Sequence, residues 1–244
     1  MPDINPEQSA LMKAQIIGAI NIPVLRNQTT AGGGIDTTPD NTLRVVSTYR
    51  ISFFGTTYYN ANIYYCDWDL SGISENITDL TFKLYGKSTT DNNNGDLIVL
   101  EGDYDDSLAT ADWNNYTGWE SDWDSDDVTE YSDKFGPASG GSWSESGYNN
   151  ITLNVTAVTA ANNVRGTSNR LKFVVMNGSA YYDNSTDDFS AIPEYFSLNF
   201  YAESTNPPIL SITTEAAAAP PSPRGVSLIG GSKIIMKGGK LIIK

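Results

Sequence analysis

The sequence predicts an all-β fold, a two-sheet sandwich, and three observations carry that prediction. Short runs alternate apolar and polar residues with period two. Clusters of Gly, Asn, Asp and Ser separate the runs, and no helix-period segment intervenes in the middle of the chain. Antiparallel strands with one covered face pack most simply as two facing sheets.

The elements follow in chain order. Tyr64, Cys66, Trp68 and Leu70 fall on one side of a first ladder. In the next run Leu80, Phe82 and Leu84 point inward, while Thr81, Lys83 and Tyr85 face out. Ile151, Leu153 and Val155 then alternate against Thr152, Asn154 and Thr156. Leu171, Phe173 and Val175 come next, followed by Phe196, Leu198 and Phe200 and by a last strand over 209–213. Each run is expected to be covered on one face only. Cys66, the single cysteine, lies on the inward face, so it reads as a small core residue and no intrachain disulfide is possible.

These runs carry a resemblance. Trp68-Asp69-Leu70-Ser71 and the strand from Ile77 to Tyr85, then Ala111-Asp112-Trp113-Asn114, Asn154-Val155-Thr156, Phe196 through Ala202 and Pro207-Pro208-Ile209-Leu210, occur in the order and spacing of a known family. Residues from about Arg50 to Thr214 resemble the DNRLRE family of jelly-roll domains, which is similar to alginate-binding carbohydrate modules of bacterial surface and secreted proteins. The resemblance implies a jelly-roll β-sandwich and a packing role for Trp113. No binding motif of the family survives intact to be carried over.

Composition narrows the chemistry. The chain has 244 residues and no histidine, which excludes Ser-His-Asp and Cys-His nucleophiles, His general bases and His-based zinc sites. Carboxylates are plentiful, but no acid/base pair stands out from the rest, and no enzymatic activity is expected.

The net charge of −14 is concentrated. Between Asp91 and Asp133 lie fourteen of the 29 acids and no Lys or Arg. Such a field repels phosphate backbones, so nucleic-acid binding is not expected. The segment can be a solvated loop. It can also hold calcium, because Asp103, Asp105 and Asp106, or Asp122, Asp124, Asp126 and Asp127, could gather hard oxygen ligands, although neither set has the EF-hand order. No other cofactor is required.

Tyr104, Trp113, Tyr116, Trp119, Trp123, Tyr131 and Trp143 are interleaved with these acids. A ring beside carboxylates and amides is a stacking platform for a sugar, and equally a plug for the open end of a sandwich. Trp119, Trp123, Tyr116 and Tyr131 are the candidate glycan ligands; Trp113 is assigned to packing.

The ends differ from the middle. Asn5-Pro6-Glu7-Gln8 reads as an N-cap, a first-turn proline and a capping-box glutamine, predicting a short helix with the stripe Met12, Ile16, Ala19 and Ile20. It has neither the basic start nor the unbroken apolar run of a signal peptide, and no segment is long enough to span a membrane. Beyond an Ala/Pro stretch, Arg224, Lys233, Lys237, Lys240 and Lys244 form a basic tail without acids. It is repetitive: Gly230-Gly-Ser-Lys-Ile-Ile-Met-Lys237 is echoed by Gly238-Gly-Lys-Leu-Ile-Ile-Lys244. Strands this apolar need a partner.

The expected organisation is an N-terminal arm with a short helix (1–45), the jelly-roll sandwich (46–215), an Ala/Pro linker (216–223) and a C-terminal β-strand tail (224–244). The tail resembles the ends of virion proteins from tailed phages and related viruses. That resemblance implies a virion structural protein, assembled in the host cytoplasm and exposed at the virion surface as a capsid decoration, head fibre or tail fibre unit. Arm and tail would hold it to other virion proteins and to copies of itself, with a homotrimer preferred; its outer face would bind a host glycan. The alternative is a carbohydrate-binding module of a cell-surface or polysaccharide-degrading system. Asn-x-Ser/Thr sites at Asn27, Asn76, Asn115, Asn150, Asn154, Asn177 and Asn184 would be glycosylated only in a host with that machinery, and an Asn- and Thr-rich β-protein also produces such triplets by chance.

Overall fold

The computed structural model describes residues 2–17, 35–36, 43–53, 56–87, 95–118, 127–182, 195–201, 205–215, 234–237 and 240–243. It is an all-β sandwich. The strands are β1 (Asp3–Ile4), β2 (Gln8–Ile17), β3 (Ile35–Asp36), β4 (Leu43–Phe53), β5 (Thr56–Asp69), β6 (Ile77–Gly86), β7 (Leu97–Glu101), β8 (Tyr148–Thr152), β9 (Arg170–Asn177), β10 (Tyr195–Tyr201) and β11 (Ile209–Thr214). They form one curled antiparallel sheet of eleven strands. β12 (Ile234–Lys237) and β13 (Lys240–Ile243) form a separate two-stranded sheet.

The long sheet folds over into two layers. In one, β6 runs between β8 and β11, with β1 beyond β11. In the other, β5 pairs with β2 along one edge and with β4 and then β9 along the other, and β7 extends from β9. β10 joins the layers, pairing with all of β4's first half and with the last residues of β6.

The core lies between. Tyr64, Cys66, Trp68, Leu70, Leu171, Phe173 and Val175 from one layer meet Leu80, Phe82, Leu84, Ile151, Leu210 and Ile212 from the other, as the period-two pattern predicts. The layers lock through rings: Trp68, Phe82 and Phe173 stand 5.5–5.9 Å apart, and Tyr131 adds a fourth ring 5.7 Å from Phe173. Such edge contacts add about 0.5–1.5 kcal/mol each beyond the area they bury. Cys66 is a free, fully buried thiol, raised well above its ordinary pKa by burial, and is inert.

Three expectations are corrected. The N-terminal arm is not helical. Gln8–Ile17 is a strand, paired residue by residue with β5 from Gln8 opposite Asp67 to Ile17 opposite Tyr58. An N-cap contributes about 1 kcal/mol, whereas pairing with β5 runs the full ten residues of this segment, and Ala10, Leu11 and Met12 become buried. Pro6 and β1 precede it, and β1 pairs with β11, so this end belongs to the sandwich sheet.

The strand expected through Val155 stops at Thr152. Asn154 then caps a helix, α1 (Val155–Val164), accepting from the amides of Thr156 at 3.0 Å and Ala157 at 3.1 Å. Val155 is 78% exposed, not inward. Ala157 and Ala161 face the core, and the Asn162 side chain bonds both the amide and the carbonyl of Ile77, at 2.9 Å each.

Finally, β5 is covered on both faces: Ile63, Tyr65 and Asp67 are as buried as Tyr64, Cys66 and Trp68.

Candidate functional site

The second cover on β5 is the acidic segment itself. Residues 102–118 run over the outer face of β5 and β9, while 127–135 run along the free edge of β7 and turn Tyr131 into the core between the layers. Bridges at Leu97 with Phe135, Leu100 with Glu130 and Gly102 with Tyr116 close the edge. Tyr104 turns inward, its ring 5.5 Å from Tyr65 and its hydroxyl donating to the Cys66 carbonyl at 2.7 Å. Tyr65 donates back to the Trp113 carbonyl at 2.6 Å. Lys172 bonds the Tyr104 carbonyl and pairs with Asp106 at 3.3 Å.

The lid is therefore amphipathic. Tyr104, Trp113, Tyr116 and Val128 are buried, whereas Asp103, Asp105, Asp106, Asp127, Glu130 and Asp133 are exposed. Trp113 packs, as assigned. Tyr116 and Tyr131, expected as stacking platforms, are 3% and 1% exposed. They offer no ring face to a sugar, because a half-covered sheet buries its rings before its carboxylates. Tyr131 donates instead to Glu101 at 2.8 Å, and burial raises its phenol. Trp119, Trp123, Asp122, Asp124 and Asp126 lie outside the described residues. Gly118 and Asp127, which flank them in sequence, lie together, the Asp127 carbonyl against the Gly118 α-carbon.

Among the described residues no three carboxylates converge as metal ligands. Asp103, Asp105 and Asp106 are exposed, and Asp106 faces Lys172.

An open cleft of about 600 Å³ near the N-terminus is lined by Asp3, Glu7, Asp69 and Ser71 without any ring. Its acids are used locally: Asp69 accepts from the Ser71 amide at 2.8 Å, which holds its carboxyl low.

No protein-family model matches the chain, and no curated protein matches its sequence.

The other layer presents a set of rings that the sequence reading passed over. Tyr85 on β6 stands directly opposite Tyr148 on β8 and Tyr201 on β10. The ring centroids are 5.2 Å apart at 89° and 6.1 Å apart at 55°. All three rings are half-buried, on the outer face, and the Lys87 ammonium lies 5.3 Å above the Tyr201 ring. Tyr85 donates to the Ser146 carbonyl at 2.8 Å and Tyr148 to the Pro207 carbonyl at 3.2 Å, which fixes both rings. The signal was present, since Tyr85 already faces outward in the alternation; that the three rings form one row depends on cross-strand register.

Proposed function

We propose that this chain is a non-catalytic structural protein of a virus particle, its sandwich displayed at the virion surface and its C-terminal repeats holding it to neighbouring copies. The supporting observation is the tail. Its two repeats are strands, and they pair with each other, Ile234 opposite Ile243 and Met236 opposite Leu241, in a sheet separate from the sandwich. A lone two-stranded ribbon is marginally stable in water, so a ribbon this apolar calls for a surface to cover it. Its basic charge is opposite to that of the body, which favours association between copies. A trimer is the preferred assembly, and calcium held by the acidic segment belongs to the same reading. No helix of the described residues is long and apolar enough to cross a membrane.

The test is light scattering on the full chain and on a chain lacking residues 224–244. The full chain is expected to form a defined oligomer and the shortened one to be monomeric. A full-length monomer would overturn the reading. The second reading, a carbohydrate-binding module of a cell-surface or polysaccharide-degrading system, is favoured by the tyrosine row and predicts a monomer in both cases.

A further inference from the structure

An exposed sheet face needs only polar residues, and β6 and β8 otherwise supply them: Thr81, Lys83, Asn150 and Thr152 surround the row. Three phenols from three adjacent strands are more than solvation requires. They are not core residues either, because the inward positions of the same strands, Leu84, Ile151 and Phe200, already fill the interior. Two of the rings are pinned by bonds to the carbonyls of Ser146 and Pro207, so little side-chain freedom remains to be lost on binding. Those hydroxyls, once donated, still have acceptor lone pairs. Two strand spacings make the row about 10 Å across, an extended rather than a point-like surface. What it offers together is apolar ring area, fixed oxygen acceptors, and flanking ammonium and amide donors.

That combination matches a sugar ring, which is apolar on its C–H face and polar at its rim. We propose that Tyr85, Tyr148 and Tyr201 form a binding strip for a pyranose oligosaccharide, with Lys87 and Asn150 bonding hydroxyls beside it. The rings meet at steep angles, so a sugar stacks on one exposed face at a time and is gripped at its rim by the next. This goes beyond the assembly reading and does not depend on it.

The probe is an array of immobilised pyranose polysaccharides, with the strongest responder titrated by calorimetry against the full chain. Tyr85→Ala and Tyr201→Ala are each expected to weaken binding at least about tenfold, the scale of a lost aromatic contact. Tyr201→Phe, which keeps the ring, should bind within about threefold. Thermal melting identifies any variant that fails to fold, and Tyr201→Ala, at the rim of the row, serves where Tyr85→Ala does not fold. Light scattering should give every variant the wild-type oligomeric state. Absence of binding to every polysaccharide overturns the proposal. So does binding that survives both alanine variants, which would place the site elsewhere, and so does a loss of binding that accompanies a change of oligomeric state, which would make the row a subunit contact.

Discussion

The Tyr65 hydroxyl donates to the carbonyl of Trp113 at 2.6 Å, joining the outer face of the sheet to the acidic lid across 48 residues of sequence. The reciprocal bond runs from Tyr104 of the lid to the carbonyl of Cys66 at 2.7 Å. Both bonds are buried, so removing either hydroxyl costs the bond and leaves a carbonyl without its donor. Tyr65→Phe and Tyr104→Phe are each expected to cost about 1–3 kcal/mol in denaturant unfolding. Because the pair acts as one clasp, the double variant should lose measurably less than the sum of the singles. Strict additivity would show that the two bonds hold independently.

The Asp67 carboxylate gives a pH signature. It is fully buried and bonded to Arg170 at 2.8 Å, and burial, outweighing that pairing, raises its pKa above the ordinary value of 3.8. The folded chain therefore keeps this proton to higher pH than the unfolded chain does. The contribution of Asp67 to stability is largest below pH 3.8 and declines as pH rises through the raised value. Asp3 and Asp69, whose pKa values are lowered, work in the opposite sense. Unfolding free energies measured across the acid range should thus show Asp67→Asn gaining on the wild type as pH rises. A constant difference would contradict this.

Gly118 lies against Asp127 in the lid. Its φ is +84°, and an added β-carbon would stand 1.6 Å from the Asp127 carbonyl oxygen. Gly118→Ala therefore combines left-handed strain of about 1–2 kcal/mol with a backbone clash. It is expected to cost more than about 2 kcal/mol and to expose the lid to limited proteolysis before the sandwich unfolds.

Asn154 caps α1 and also donates to the Glu130 carbonyl at 2.8 Å, tying the helix to the lid. Asn154→Ala should lower stability by about 1–2 kcal/mol. Asn154→Asp keeps the cap but sets a carboxylate oxygen against the Glu130 carbonyl in place of the amide donor, so it should recover only part of that loss in the same unfolding assay.

Most of the core was legible in the sequence because period-two alternation is a local property. Cys66, Trp68, Phe82, Leu84, Phe173 and Phe200 are buried as their spacing implies. The arm was misread because Asn5-Pro6-Glu7-Gln8 is a genuine local helix-start signal, overridden by a strand edge some fifty residues away. α1 was missed for the converse reason: its β-branched residues continue the preceding strand's pattern, and only Asn154 marks the break. In the lid, rings and carboxylates alternate so closely that composition could not tell Tyr131, against Phe173, from a ring open to solvent.

By itself, then, the sequence determined the all-β class, most of the inward residues, the concentration of acid in one segment and the strand repeats of the tail. Tertiary structure decided that residues 102–118 of the acidic segment cover the second face of β5, with Tyr104 and Trp113 turned down onto it. It also decided that Tyr85, Tyr148 and Tyr201 share a row. The physical reason is range: a side chain's face on its own strand follows from its neighbours in sequence, but which strand lies beside it is set by pairing between segments far apart in the chain.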